Sequence, residues 1–441
     1  MKKVDRIVRA DYVVTMDQAM TVVQDGAVAI RDGKIIAVER SDNIVTHFIS
    51  DHIVDGEDRV IFPGLINTHC HAAMVYFRGM ADDLPLKVWL EEHIWPAENK
   101  FLGDEFVFDA VQLACLEMLK AGITAYNDMY FFKEAAARAT SQIGMRAVLG
   151  MGILDFATKA GSGSDQYLAS AEAFLDAWQG HELVIPGIAP HAIYTCSRDT
   201  LRKAHKLAQS YNTAIHIHLS ETKWEVEEAM KQHQLPPVLY LDSLGFLDNR
   251  VIAAHCVWLT DEEIEVLARA RTSVSHCVKS NLKLASGIAP VVQMLKNGVK
   301  VTFGTDGAAS NNTLDILSEM SLAAKLHKAV TGDPIALDDR TALLMATRWG
   351  ADAIGLGEST GSLSPGKDAD LVIANLKKPH LTPIYDIYSH IVYAMNASDI
   401  ETVLIKGKTI VEKGKLITSE EDEILNKARQ WQKRIKQQLS N

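Results

Sequence analysis

Between residues 61 and 305, short apolar runs alternate with longer amphipathic segments. The runs cover 61–68, 123–128, 145–150, 183–190, 213–218, 251–255, 272–276 and 299–305. Each is short enough for a buried strand and too short for a typical helix. The segments between them carry helix signals. Residues 104–120 stop before Gly122, and 165–179 start after Ser164 and stop at Gly180. Thr260-Asp-Glu-Glu263 reads as a capping box opening a helix over 262–270. Eight strands alternating with helices predict an α/β chain built round a (β/α)8 TIM-type barrel. A doubly wound open sheet shares that alternation, but no Gly-rich dinucleotide fingerprint follows any run.

The two ends of the chain share a different texture. Asp25-Gly26, Asp32-Gly33 and Asp55-Gly56 predict hairpin turns between β-rich runs such as 27–30 and 34–38. The pattern returns at 370–374, 402–405 and 409–411, with a turn at Gly407. A charged helix is expected over 420–438, with Ser419 as its N-cap. The expected organisation is a small β-sandwich domain from residues 1–60 plus 361–441, around a barrel over 61–360. The first run is followed by a long connection, 72–103, carrying Met74, Tyr76, Phe77, Met80, Trp89 and Trp95. A loop of this length and aromatic content predicts a folded lid over a substrate, with packing on the barrel rim as the plainer alternative.

Composition narrows the field. With 45 basic and 56 acidic residues among 441, the net charge of −11 argues against a nucleic-acid surface. The five cysteines (Cys70, Cys115, Cys196, Cys256 and Cys277) form no C-x-x-C pair, which fits free thiols in a reducing, cytoplasmic setting. No apolar run is long enough to predict a membrane span.

The 16 histidines matter because of where they fall. Barrel chemistry sits at the C-terminal ends of the strands. The runs end, in order, in His69-Cys-His71, Asn127-Asp128, His191, His216-Ile-His218-Leu-Ser-Glu221, His255, His276 and Asp306, the third run alone lacking such a residue. Side chains alternate along a strand, so His69 and His71 project to one side while Cys70 points away. A third imidazole from His218 and the carboxylate of Asp306 complete a ligand set for one divalent ion, leaving room for water. His218 is preferred to His216 because only His218 has Glu221 three residues on; His216 is read as supporting. The donor set suits Zn2+, with Fe2+ as the competitor. Glu221 is placed to donate a proton to a substrate, Asp306 to accept one from attacking water, and His255 to steady the developing charge. No lysine or carboxylate ends the third or fourth run to bridge a second ion.

These residues, together with Pro63-Gly-Leu-Ile-Asn-Thr-His-Cys-His71, resemble the amidohydrolase superfamily. Within it, the segments 218–222, 275–287 and 304–312 are similar to the 5′-methylthioadenosine/S-adenosylhomocysteine deaminases. The resemblance implies zinc ligation by His69, His71, His218 and Asp306, protonation of a purine ring by Glu221 with His255 beside it, ribose recognition by Glu98, and contact with the adenosine moiety by His191. It implies a small-molecule nucleoside substrate, hydrolytic release of ammonia to leave the inosine analogue, and a homo-oligomer. One departure stands out. Family members that accept S-adenosylhomocysteine use arginines near and after the third strand for its carboxylate, whereas this chain has none between Arg146 and Arg198. The expectation is a preference for 5′-methylthioadenosine, with Met74, Met80 or Trp89 lining the apolar end. Adenosine and S-adenosylhomocysteine remain further candidate substrates. The competing readings are deamination of another aminated heterocycle (guanine, cytosine or triazine type) and, from a different class, a non-catalytic barrel scaffold. A scaffold would be expected to have lost metal ligands or Glu221, and none is lost.

Overall fold

In the computed structural model, which describes residues 1–439, eight parallel strands follow one another in sequence order. Barrel strand 1 is Leu65–Cys70, strand 2 Ile123–Tyr130, strand 3 Arg146–Ile153 and strand 4 Val184–Pro190. Strands 5 to 8 are Ile215–Leu219, Val251–His255, Ser273–His276 and Val301–Phe303. Almost every residue in them is buried, as expected where helices cover the outside and side chains fill the inside. The first and last strands are joined by the Thr68 hydroxyl, which donates to the Phe303 carbonyl at 2.9 Å, and by the Asp306 amide, which donates to the His69 carbonyl at 3.0 Å. That second bond also sets Asp306 beside His69. Gly304 is required at this seam, because a Cβ there would stand 2.4 Å from the Ser275 hydroxyl and 2.7 Å from the His69 Cβ.

The helix signals hold with small shifts. The helix Asp104–Lys120 has the expected bounds, Ser164–Trp178 begins one residue early, and Asp261–Ala270 opens with the full Thr260/Glu263 capping box. The first apolar run proves to be two strands. Arg59–Pro63 pairs with Leu371–Asn375 in a second sheet, and Leu65–Cys70 begins the barrel. Gly64 marks the break, where a Cβ would fall 2.0 Å from the Thr124 hydroxyl. One unbroken hydrophobic run thus hides a change of sheet.

The second sheet has nine strands in mixed orientation and is built from both chain ends. Val8, Val13, Val28, Ile30, Ile61 and Leu371 pack together on one of its faces. Two of the expected hairpin turns are absent. Asp25-Gly26 lies inside the strand Val22–Arg31, with Gly26 pressed against Val13. Asp55-Gly56 precedes a turn at residues 57–58, and the strands flanking it both run parallel to Arg6–Val14. Asp32-Gly33 does make its hairpin, with φ of 53° and 73° at the two residues. A charged helix, Glu421–Leu439, ends the described chain and packs on Asp104–Lys120, where the Trp431 indole and the Lys427 ammonium both donate to Asp109.

Arg146, at the start of barrel strand 3, ties the two sheets together. Its guanidinium donates to Asp370 and Asp368 at 2.6 Å each, and all three groups are buried. Among the described residues, removing the cation leaves buried Asp370 with no cation and Asp368 with Lys34 alone, and breaking a buried pair typically costs about 3–5 kcal/mol. Arg146→Met is therefore expected to destabilise the protein by that order, read as a fall in the urea midpoint, whereas substitution of an exposed arginine such as Arg31 leaves the midpoint almost unmoved.

Candidate active site

Three imidazoles and a carboxylate meet at the C-terminal mouth of the barrel. Ring centroids of His69 lie 4.9 Å from those of His71 and His218. The Asp306 Oδ1 atom is 3.3 Å from His69 Nε2 and 3.2 Å from His71 Nε2, and His71 Nε2 is 3.2 Å from His218 Nε2. The two most C-terminal rings have their tautomers set from behind. His71 Nδ1 donates to the Met129 carbonyl at 2.6 Å, and His218 Nδ1 donates to the His191 carbonyl at 2.9 Å. In the neutral rings both Nε2 atoms then carry lone pairs, facing each other beside an anionic oxygen. That arrangement repels unless a positive charge lies between them. His69 adds a buried Nε2 with no hydrogen-bond partner. Its Nδ1 shares a proton with His216 Nε2 at 2.8 Å, and the Asn127 amide stands 3.1 Å from His216 Nδ1. The donor set thus fits a divalent metal ion, with ligand rings oriented by outer groups as such sites require.

Burial and the neighbouring histidines hold His218 and His216 well below the ordinary imidazole range, and burial takes His69 down to about 4. Asp306 lies far below the usual carboxylate range: burial opposes ionisation, but His69 and His71 outweigh it. His71 goes the other way: burial lowers it, but the Asp306 carboxylate outweighs burial and raises it. A bound cation would take the place of the proton that Asp306 favours there, since neutral imidazoles and an ionised carboxylate are the forms that bind a cation.

Around this centre stand the proton-handling groups. Asp306 Oδ2 accepts from the Ser280 and Ser310 hydroxyls at 2.6 and 2.7 Å, while the Gly307 amide donates to Oδ1 at 2.8 Å. His255 donates from Nδ1 to the Asn281 side-chain oxygen at 2.8 Å, leaving Nε2 3.8 Å from Glu221 Oε2. The Ser286 hydroxyl faces Glu221 Oε1 at 3.4 Å. Burial raises the Glu221 carboxyl, favouring the protonated form of a group that is to donate.

A cavity of about 410 Å³ opens from this cluster. His71, His191, His218, Glu221, His255 and Asp306 line its floor. The connection 72–103 covers it, folded as short helical turns that include Trp89–Ile94 and Trp95–Phe101. Trp89, Leu90, Trp95 and Met74 line the cavity, as does Phe156 after barrel strand 3. The connection does both things the sequence allowed: Phe77 packs against Phe106, while the tryptophans roof the cavity. Met80 is not among the lining residues, which corrects that expectation; it packs on the core beside the lid. Glu98 also lines the cavity; its carboxyl is pushed up to about 7, chiefly by burial, and accepts a hydrogen bond from the Tyr130 hydroxyl at 2.6 Å. Lys159 also reaches the lining, its ammonium donating to the Lys100 carbonyl at 3.1 Å.

All eight residues named from the sequence line this one cavity or belong to the cluster beneath it. His276 and Asp128 do not. His276 is buried against His327, with Nε2 atoms 3.2 Å apart. Asp128 pairs with buried Lys133 and accepts the Ala72 amide at 2.7 Å, so it braces the backbone just after His71. Sequence reasoning missed the supporting layer of Ser280, Asn281, Ser310, Tyr130 and Lys133. Ser280 and Asn281 lie in a segment the resemblance singles out, but only the fold shows which atoms they reach.

Comparisons with known proteins follow this geometry. The model of the amidohydrolase family matches residues 60–410. A 5-methylthioadenosine/S-adenosylhomocysteine deaminase of Thermodesulfovibrio yellowstonii is 53% identical, the match covering 98% of each chain. A 5′-deoxyadenosine deaminase of Methanosarcina acetivorans is 42% identical over 96% of this chain and 97% of its own. The crystal structure of an adenosine deaminase from Xanthomonas campestris with bound zinc superposes with a TM-score of 0.97, at 40% identity and over 99% of each chain.

Proposed function

The chain belongs to the amidohydrolase family, and from that membership we propose that it is a divalent-metal-dependent deaminase converting 5′-methylthioadenosine to its inosine analogue and ammonia. The observation that carries this reading is the polarity of the cavity. One lining brings together a metal-ligand set, a protonatable carboxyl at Glu221, a second carboxylate at Glu98, and tryptophans and leucines. A nucleoside, with an aminated base, a diol and apolar ring faces, matches that combination of chemistry.

His69, His71, His218 and Asp306 would hold the ion, and we assign it as Zn2+ from three imidazoles and one carboxylate, supported by the zinc-containing relative. Once bound, such an ion would polarise water and lower its pKa to about 7, making hydroxide accessible at neutral pH. The protein's own groups do the rest. Glu221, its carboxyl raised by burial, delivers a proton to a ring nitrogen of the base, so that the carbon bearing the amino group becomes electrophilic. His255, held by Asn281, steadies charge developing near Glu221. Asp306, its carboxylate held by Ser280, Ser310 and the Gly307 amide, accepts the first proton released by water and passes it to the departing ammonia, while the second proton, on the oxygen that becomes the carbonyl, returns to Glu221. Glu98 accepts the ribose hydroxyls, with Tyr130 fixing its rotamer. His191 contacts the nucleoside from barrel strand 4.

The 5′ end of such a substrate meets the apolar part of the cavity. Lys159 is the cation there, and no arginine lies between Arg146 and Arg198. A carboxylate at that end lacks a bidentate partner. Five buried free thiols support a reducing, cytoplasmic setting. Among the described residues no helix is long and apolar enough to cross a membrane. A homo-oligomer, and a domain division at residues 60–61 and 360–361, complete the reading.

Three measurements test it. Glu221→Gln should keep its metal, measured by elemental analysis, while kcat for ammonia release falls by about 10²–10⁴-fold; metal loss in that variant would make Glu221 a ligand instead. The ratio of kcat/KM for 5′-methylthioadenosine to that for S-adenosylhomocysteine should favour the former, and parity would assign carboxylate binding to Lys159. Glu98 titrates upward-shifted, near 7, so it loses its acceptor charge as pH falls below that value. The kcat/KM for ribonucleosides should therefore drop on the acid side of 7, and a 2′,3′-dideoxynucleoside should not show that drop.

A further inference from the structure

We propose that Glu225 is a positioning residue for the proton donor, holding Glu221 and His255 in one shared frame. This rests on the reading of Glu221 given above. Barrel strand 5 ends at Leu219, and the chain then turns through Ser220, whose φ of 52° lies in the left-handed region that a serine adopts at a cost. The turn is held from both sides. On one side, the Glu225 carboxylate accepts the Ser220 amide at 2.9 Å through Oε1 and the Glu221 amide at 2.8 Å through Oε2. On the other, the Ser220 carbonyl accepts the Val257 and Trp258 amides, both at 2.9 Å. Those two residues follow His255 and Cys256, which are themselves left-handed at φ 73° and 49°. A single peptide unit therefore locks the backbone of the proton donor to that of its histidine partner.

The behaviour of Glu225 is not that of an ordinary helix cap. It sits at the third position of the helix Lys223–His233, with Thr222 as N-cap accepting the Glu225 amide at 3.2 Å. A capping-box glutamate in that position turns back to the N-cap amide. Glu225 reaches past it to residues 220 and 221. It is 1% exposed, and among the described residues its carboxylate has no hydrogen bond except these two amides. A carboxylate buried without a cation is costly, and the two backbone amides are the groups that offset that cost here. The Ser220 hydroxyl, buried without a partner, contributes nothing to the turn. The turn is thus shaped by the carboxylate and not by the serine.

The test is a double-mutant cycle with elemental analysis and thermal melting on each variant. Glu225→Gln places an amide nitrogen against a backbone N–H while keeping the side-chain shape. Misplacing a reacting group by about 1 Å costs about 10²-fold. The expected result is a fall in kcat of that order, KM within about twofold and metal content unchanged. In a Glu221→Gln background, where there is no acid left to aim, the same substitution should cost less than about threefold. A purely structural role predicts the same cost in both backgrounds. Equal cost, a kcat within twofold of the parent, or metal loss in step with kcat would each overturn the inference. If Glu225→Gln does not fold, Glu225→Asp, which can keep one of the two bonds, carries the same comparison. Failure of the underlying reading shows separately, because Glu221→Gln alone would then leave kcat intact.

Discussion

His71 and His218 face each other through Nε2 atoms 3.2 Å apart, each ring held from behind by a carbonyl, beside the buried Asp306 carboxylate, and a bound cation would satisfy all three groups at once. The rest of the molecule is arranged to make that encounter unavoidable. Parallel strands bring their C-terminal ends to one rim, and the pleat turns residues 69 and 71 to the same side. The seam between the last and first strands is closed by the Asp306 amide on the His69 carbonyl, so the act of closing the barrel delivers the carboxylate to the histidine cluster.

Around this centre the protein controls charge by burial as much as by pairing. Asp306 is forced to ionise by two imidazoles, whereas Glu221, Glu225 and Glu98 are all raised, burial being the leading cause in each. Carboxyls with opposite tendencies within one cavity are what separate acid and base duties require. Lys133 and Asp128 lie deeper still, fully buried and paired with each other; their role is to hold the backbone at Ala72, directly after the second histidine. The chemistry of the site therefore sits on a second layer of polar groups whose partners are backbone atoms, so that a turn's geometry and a side chain's aim are set together.

How much of this was readable from sequence follows from the same distinction. The eight strands and their terminal residues were legible, because both depend on periodicity and on a topology with one functional face. His69, His71, His218, Glu221, His255 and Asp306 followed from position alone. Gly64 was not legible as a break, since the apolar run continues across it and only the contact with Thr124 reveals two strands. Asp25-Gly26 has the composition of a turn but is used inside a strand, where Gly26 is chosen for its closeness to Val13. The supporting residues were hidden for a further reason. Ser280, Asn281 and Glu225 act across hydrogen bonds between elements, and no spacing along the chain encodes which atom a hydroxyl or carboxylate will reach.

The lid shows how selectivity arises from the same construction. Its tryptophans come from a segment with no strand to hold it, and it is anchored at one end by the turn after His71 and at the other by the helix Trp95–Phe101, which carries Glu98. Glu98, to which we assign the diol, is therefore carried by the lid, while Glu221, His255 and Asp306 are carried by the barrel. Tyr130 joins the two: it lies on barrel strand 2, next to the Met129 carbonyl that orients His71, and its hydroxyl holds Glu98. On the proposed function, a diol bound at Glu98 would contact the lid and, through Tyr130, the strand whose Met129 carbonyl orients His71. A free base would make no such connection, because it has the aminated ring without the diol. Discrimination between nucleosides and bases would then rest on the attachment of the lid, and discrimination among nucleosides on the apolar lining.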